Sequence, residues 1–294
     1  MIGFAKQLYK TGLKLGLNIS RKLIFGYYPI FLEYPHRPKP RYGYDKPPHQ
    51  ELYDLIDSER DIIRTTLKSF GQFEAHLRKI PLTNPGSPEL PNWLNGWLPA
   101  FDSIGVYGML SLNNPKLLIE IGSGNSTKFA RQAIRDNKLE TRIVSIDPQP
   151  RAEINSICDT IIRKPLQDVD ISIFDKLDSN DILYIDGSHY SFQNSDVTVI
   201  FLEILPKLKS GVIVHFHDIF LPYDYSPEWK ERYYNEQYLL ATALLINREH
   251  FSIILPNAFI TEDPELKSIL NPIWDNPELQ QVERHGGSFW LKIN

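Results

Sequence analysis

The sequence predicts an α/β protein built on a mostly parallel sheet with helices on both faces. Three observations carry this. Short apolar runs each end in Gly, Asp or His: Leu117 to Ile121 before Gly122, Arg142 to Ile146 before Asp147, Ile182 to Ile185 before Asp186, and Val212 to Phe216 before His217-Asp218. Helix-like segments separate them, at about 127–137, 152–158, 166–176 and 191–208. Strands alternating with helices make a parallel sheet that is covered on both sides. The composition is globular: 42% of the 294 residues are apolar and 23% charged, which rules out wholesale disorder.

The elements follow in order. Residues 1–32 carry Lys6, Lys10, Lys14, Arg21 and Lys22 and no acid. They read as a basic amphipathic helix with a break near Gly12 or Gly16, suited to a membrane surface, a second subunit or its own domain. The lysines interrupt any continuous apolar core, so the segment does not read as a secretory signal. This arm is +5, so the net charge of −4 leaves −9 for the remainder. That balance does not fit a nucleic-acid binder. Pro35, Pro38, Pro40, Pro47 and Pro48 make an extended connector. Leu52, Ile56, Ile63, Leu67, Phe70, Phe73 and Leu77 form one helical stripe over about 50–78. A Pro-rich loop with Trp93 and Trp97 follows, then a helix at 100–112. Ile161-Ile162 adds a weaker strand, and a long helix is expected at about 228–249. The last strands, Phe251 to Leu255 and Ser288 to Leu291, show no clear helix between them and pair antiparallel at the sheet edge. Residues 1–99 are thus read as a helical and Pro-rich extension and 100–294 as the sheet domain. The single cysteine, Cys158, allows no intrachain disulfide, and no apolar run reaches the ~20 residues that span a bilayer. A reducing, cytoplasmic setting is expected, with membrane contact at most peripheral.

Residues 117–127 read Leu-Leu-Ile-Glu-Ile-Gly-Ser-Gly-Asn-Ser-Thr. A buried strand runs into a turn whose glycines, Gly122 and Gly124, let backbone approach a ligand, and Ser126 or Thr127 is placed to cap the next helix. Asp147 ends the next strand, where an acid accepts hydrogen bonds from ribose hydroxyls. Thr127 stands where a dinucleotide site has its third glycine, which argues against a nicotinamide-dependent oxidoreductase.

Four motifs match in order: Glu120-Ile-Gly-Ser-Gly-Asn-Ser-Thr127, Ser145-Ile-Asp-Pro148, Asp181-Ile-Leu-Tyr-Ile-Asp-Gly-Ser-His189 and Gly211-Val-Ile-Val-His-Phe-His-Asp218. Through them the segment from about 116 to 220 resembles class I S-adenosylmethionine-dependent methyltransferases, in the branch related to metal-dependent small-molecule O-methyltransferases. The resemblance implies a Rossmann-like three-layer sandwich with a seven-stranded sheet, the last strand antiparallel. It implies S-adenosylmethionine as cofactor, with Glu120, Gly122 and Gly124 against its methionine part, Asp147 on the ribose and Leu166 to Asp168 near the adenine. Ser123, Asn125, Ser126, Pro148, Asp168 and Asp186 complete the cofactor set, and Tyr107 is a further candidate contact.

In a parallel sheet, ligands bind outside the carboxyl ends of the strands, where Asp186, His189, His217 and Asp218 fall. Methyl transfer to oxygen needs the nucleophile aligned and its proton removed. Two arrangements stand open. In one, His189 or His217 is the base, with Asp218 beside it. In the other, Asp186, His217 and Asp218 hold a divalent metal; an acid is usual in that branch at the position of His217, which weakens the case for magnesium. His215 lies inside the strand and reads as a core residue. Tyr223, Tyr225, Trp229 and Tyr233 offer stacking faces for an acceptor, expected to be a small molecule or glycoside, and Glu236 and Gln237 are placed to reach the same pocket. The rival readings are an NAD(P)-dependent oxidoreductase and a non-catalytic binding protein of the same fold.

Overall fold

The computed structural model describes residues 11–13, 16, 33–34, 36–84 and 86–294. The chain divides into two compact units, Met1–Pro38 and Lys39–Asn294. In the first, residues 11–13 and 16 are helical, and the rest of the expected basic helix over 1–32 lies outside the described residues. No helix among the described residues is long and apolar enough to cross a membrane.

The second unit is organised on seven strands among the described residues: β1 (Leu117–Ile121), β2 (Arg142–Ile146), β3 (Thr160–Ile162), β4 (Ile182–Ile185), β5 (Ile213–Phe216), β6 (Phe251–Pro256) and β7 (Phe289–Ile293). Their order is β3-β2-β1-β4-β5-β7-β6. β1 to β5 pair in parallel, and β7 runs antiparallel to both β5 and β6. The expected sandwich with its antiparallel last strand is therefore present. β4 and β5 are buried along their whole length because helices cover both faces. Their unbroken apolar runs follow from that cover.

The main helices are α1 (Gln50–Ser58), α2 (Arg60–Ser69), α3 (Ala100–Asn113), α4 (Asn125–Asn137), α5 (Asp196–Val199, continued by a π turn over Ile200–Ile204) and α6 (Glu236–Ile246). Several differ from expectation. The segments 152–158 and 166–176 hold only 3₁₀ turns, Asn155–Ile157, Leu166–Asp168 and Ile171–Lys176. Pro165 opens the second of these, and the Asp170 side chain caps the third by accepting the Ser172 N–H. The helix expected from 228 starts only at Glu236, because Tyr233 takes a left-handed φ of 55°. Three short helices, Asn257–Glu262, Pro264–Ser268 and Asn271–Trp274, lie between β6 and β7, where none was expected. Each is at most six residues long, too short to show a period.

α3 is buried nearly all round, since its two glycines admit large neighbours. A Cβ on Gly108 would meet the Phe70 ring at 2.4 Å, and one on Gly105 would meet Trp290 Nε1 at 3.1 Å. Three residues apart, the two glycines share one helix face, and Phe70 and the β7 residue Trp290 pack side by side against it. Arg60 and Arg64 on α2 pair with Asp263 (2.6 Å) and Glu265 (2.7 Å) near the end of the sheet. Residues 39–99 accordingly fold with the sheet, and the compact units divide at Pro38 rather than at 99.

Candidate active site

Backbone ladders align the strand ends. Just past β1, β2, β4 and β5, the N–H groups of Gly122, Asp147, Asp186 and His217 still bond to the carbonyls of Ile146, Ile162, Ile121 and Ile185. These four residues therefore form a row across the sheet, in the spatial order Asp147, Gly122, Asp186, His217.

At one end of the row lies the glycine loop. Gly122 has φ +76°, and a Cβ there would stand 1.8 Å from the Asp186 carbonyl oxygen. Around Gly124 a Cβ would meet nothing within 4 Å, so the backbone borders open space. The Asp147 carboxylate accepts the Ser123 N–H at 2.8 Å and the Gln149 N–H at 2.7 Å. Ser123 Oγ turns beneath the loop to Ser145 Oγ at 2.8 Å. Glu120 is buried and accepts hydrogen bonds from Ser126 Oγ and Thr127 Oγ1, both at 2.5 Å. Burial pushes its carboxyl up to about 7, against the pull of those hydroxyls. Asn125 opens α4 and donates its side-chain amide to Asn95 at 3.1 Å.

At the other end, two buried histidines are set among four carboxylates. His217 Nδ1 lies 3.2 Å from Asp218 and 3.6 Å from Asp186, and its Nε2 lies 3.5 Å from Asp102. His189 Nε2 lies 3.4 Å from Asp186 and 3.5 Å from Asp218, and its Nδ1 is hydrogen-bonded to Glu236 at 2.8 Å. Asp186 Oδ1 thus bridges the two imidazoles. Burial works against charge on either ring, but the carboxylates prevail: Asp186 and Glu236 lift His189 to about 10, and Asp186, Asp218 and Asp102 hold His217 well above its ordinary range. Asp102 resists its own burial through His217, the Gly287 N–H and Asn257, which bring it down to about 2. His189 (φ 62°) and Asp218 (φ 54°) hold left-handed backbone, uncommon for such residues and a frequent mark of functional sites. His215 is a core residue, stacked on Tyr184 at 3.6 Å and bonded to Ser288.

The metal arrangement expected for Asp186, His217 and Asp218 finds no support among the described residues. No group of three or more His, Cys, Asp or Glu among the described residues can hold a metal ion. The two imidazole rings stand between the carboxylates of Asp186 and Asp218.

Tyr107 lies apart from the glycine loop. It is fully buried, and its hydroxyl donates to Asp136 at 2.8 Å, near the far end of α4 from the glycine loop. Pro148 and Asp168 are exposed, the latter on the turn beyond β3. Of the expected aromatic wall, Trp229 lies edge-on to Tyr234 (5.7 Å), and it is Tyr234, not Tyr233, that reaches His189 (4.5 Å). Tyr225 is buried against Phe220 and Trp229. Tyr223 packs where a Cβ on Gly43 would fall, 3.0 Å away. Gln237 is turned to the loop above it, accepting from the Phe220 N–H and donating to the Tyr223 carbonyl. Asp102 was not expected at the site. Its one signal is that it is the sole charged residue in the apolar stretch 100–112.

Residues 119–219 match the sequence profile of a family described as a methyltransferase domain. That segment is thus similar to methyltransferase domains. The match begins in β1 and ends just past the His217-Asp218 pair, and it leaves the oxidoreductase alternative without support. No curated protein matches the chain. Among solved structures, the chain is similar to the SAH-bound methyltransferase PaMTH1 of Podospora anserina, with 14% identity over 86% of this chain and 100% of that one and a TM-score of 0.40. It is also similar to an apo structure of CmcI, with 12% identity over 66% of this chain and 71% of that one and a TM-score of 0.36.

Proposed function

We propose that the protein uses S-adenosylmethionine to methylate a hydroxyl oxygen of a small molecule or glycoside. One observation carries this reading: the row of strand ends sets the Gly122–Asp147 cleft directly beside the histidine–carboxylate cluster. The cleft fits the cofactor, with open space at Gly124 for close backbone approach and a carboxylate at Asp147 for ribose hydroxyls. When bound, the cofactor supplies an electrophilic methyl group on a sulfonium sulfur. Asp218 and Asp186 face the acceptor, and Asp218 takes the hydroxyl proton as the acceptor oxygen gains its methyl group. His217 and His189 hold both acids in place and offset their charge. Trp229 and Tyr234 flank the approach and offer ring faces to the acceptor.

Calorimetry with S-adenosylmethionine and its demethylated product tests the reading. Binding of both is expected; binding of NADH with neither of these would overturn it. Asp147→Ala is expected to weaken the product complex about tenfold, the effect of losing charge-assisted hydrogen bonds worth about 1.5 kcal/mol; an unchanged affinity would remove the ribose role. Asp218→Asn is expected to lower turnover on a panel of hydroxylated acceptors by about 10²–10⁴ with cofactor affinity kept, the scale of a lost general base. Full activity in that variant would remove the base role.

A further inference from the structure

Residues 89–98, ahead of the first strand and outside the motifs that mark the domain, run past both loops of the cofactor cleft. Glu89 accepts a hydrogen bond from Ser156 Oγ, in the segment after β2. Asn95 Oδ1 accepts from Asn125, the residue after Gly124. Trp97 carries the Arg151 guanidinium 4.5 Å over its ring, and Arg151 lies four residues past Asp147. The segment thus touches the far side of each loop, while Ser123 and Asp147 join the loops at their base.

It is also rigidly built. Trp93 is buried between Phe129 of α4 and Trp274. The Asn95 amide donates to the carbonyls of Asn92, Trp93 and Leu98, and its oxygen accepts the N–H groups of Trp97 and Leu98. One buried tryptophan anchors the strap, one asparagine fixes its shape, and the second tryptophan is left 62% exposed. A lone exposed apolar residue is ordinary. A large ring held by a bracket at the mouth of a nucleoside cleft, with a planar cation already on its face, is a stacking surface. Guanidinium and purine planes are interchangeable partners for an indole.

We infer that the strap 89–98 is the outer wall of the cofactor site and that Trp97, gated by Arg151, stacks on the adenosine end of the cofactor. The inference rests on the cofactor reading above and goes beyond it by assigning the nucleoside a binding face outside the motif-bearing domain.

The test is calorimetry on the full chain with S-adenosylhomocysteine and with 5′-methylthioadenosine, which keeps the nucleoside and lacks the amino acid. Trp97→Ala is expected to weaken both by the same factor, about 5- to 150-fold, the range for losing one base-stacking ring. Trp97→Phe is expected to restore most of the affinity. The intrinsic fluorescence of the wild type should change on binding, and that change should disappear in Trp97→Phe. Equal affinity of Trp97→Ala and wild type for both ligands overturns the inference and leaves the cofactor reading standing. Weakening of S-adenosylhomocysteine alone overturns the placement at the nucleoside. Absence of binding in the wild type overturns the cofactor reading and this inference with it. Trp97 is exposed, so its variants are expected to melt like the wild type, and the thermal scan checks this.

Discussion

Gly122→Ala is expected to abolish cofactor binding and to lower the melting temperature by about 10 °C. Two penalties coincide at this residue. Its φ of +76° lies where a side chain is strained, and the new Cβ would stand 1.8 Å from the Asp186 carbonyl oxygen. Neither partner can yield cheaply, because the Asp186 N–H is itself bonded to Ile121 in the β1–β4 ladder. Together they cost about 3–5 kcal/mol, at the diagnostic end of single substitutions, and about 2–4 °C is lost per kcal/mol in a unit of this size. Relief of the clash must separate β1 from β4, which widens the cleft and shifts Asp186 from the cluster. Gly124→Ala is the contrasting variant. Its Cβ meets no protein atom within 4 Å, so it should lose less stability than Gly122→Ala while still weakening the cofactor. Thermal scans and calorimetry read both. A Gly122→Ala protein that melts and binds like the wild type would refute the loop geometry.

Asp102→Asn is expected to destabilise the protein by about 3–5 kcal/mol, the cost of breaking a buried ion pair. The Asp102 carboxylate is fully buried and accepts from the Gly287 N–H, the Ser288 N–H and the Asn257 amide, each at 2.8–2.9 Å, besides facing His217. An asparagine presents an NH₂ to at least one of these donors and leaves the His217 charge with one counter-ion fewer. The sign of the pH dependence follows from the lowered carboxyl. Its folded value is about 2 against 3.8 for the free group. Its contribution is therefore complete above about pH 4 and is lost as pH falls toward 2. Urea unfolding should show a constant gap between wild type and variant from pH 5 to 7 and a narrowing gap below pH 4. A gap that widens on acidification would contradict the assignment.

The parts of the site that local pattern encodes were legible in the sequence. Gly122, Asp147, Asp186 and His217 each end an apolar run, and the ladder turns those four ends into a row without further instruction. What joins the row to its surroundings was not legible. Asp102 and Gly287 are 185 residues apart, and His189 and Glu236 are 47 apart. No periodicity spans such a distance. Asp102 sits in a helix whose buried character hides a single acid among apolar neighbours. The surroundings of His217 were hidden for a related reason: the motif supplies two acids and a histidine, but Asp102, which also faces that histidine, comes from another element. The wall aromatics were legible by composition but not by residue, since the left-handed turn at Tyr233 rotates the next ring, Tyr234, onto His189.

The bonds from Asp102 to Gly287 and Ser288 also set an order of assembly. During synthesis the motifs from Glu120 to Asp218 are made well before residue 287. Until then Asp102 has neither amide to hold it and β5 has no antiparallel neighbour on its open side. Contacts of such wide sequence separation form late, after loop closure has been met by the rest of the chain. A nascent or C-terminally shortened chain can thus contain every recognisable motif and still lack the charge balance around His217. The hydrogen bonds that hold Asp102 beside His217 are complete only once residues 287 and 288 are in place.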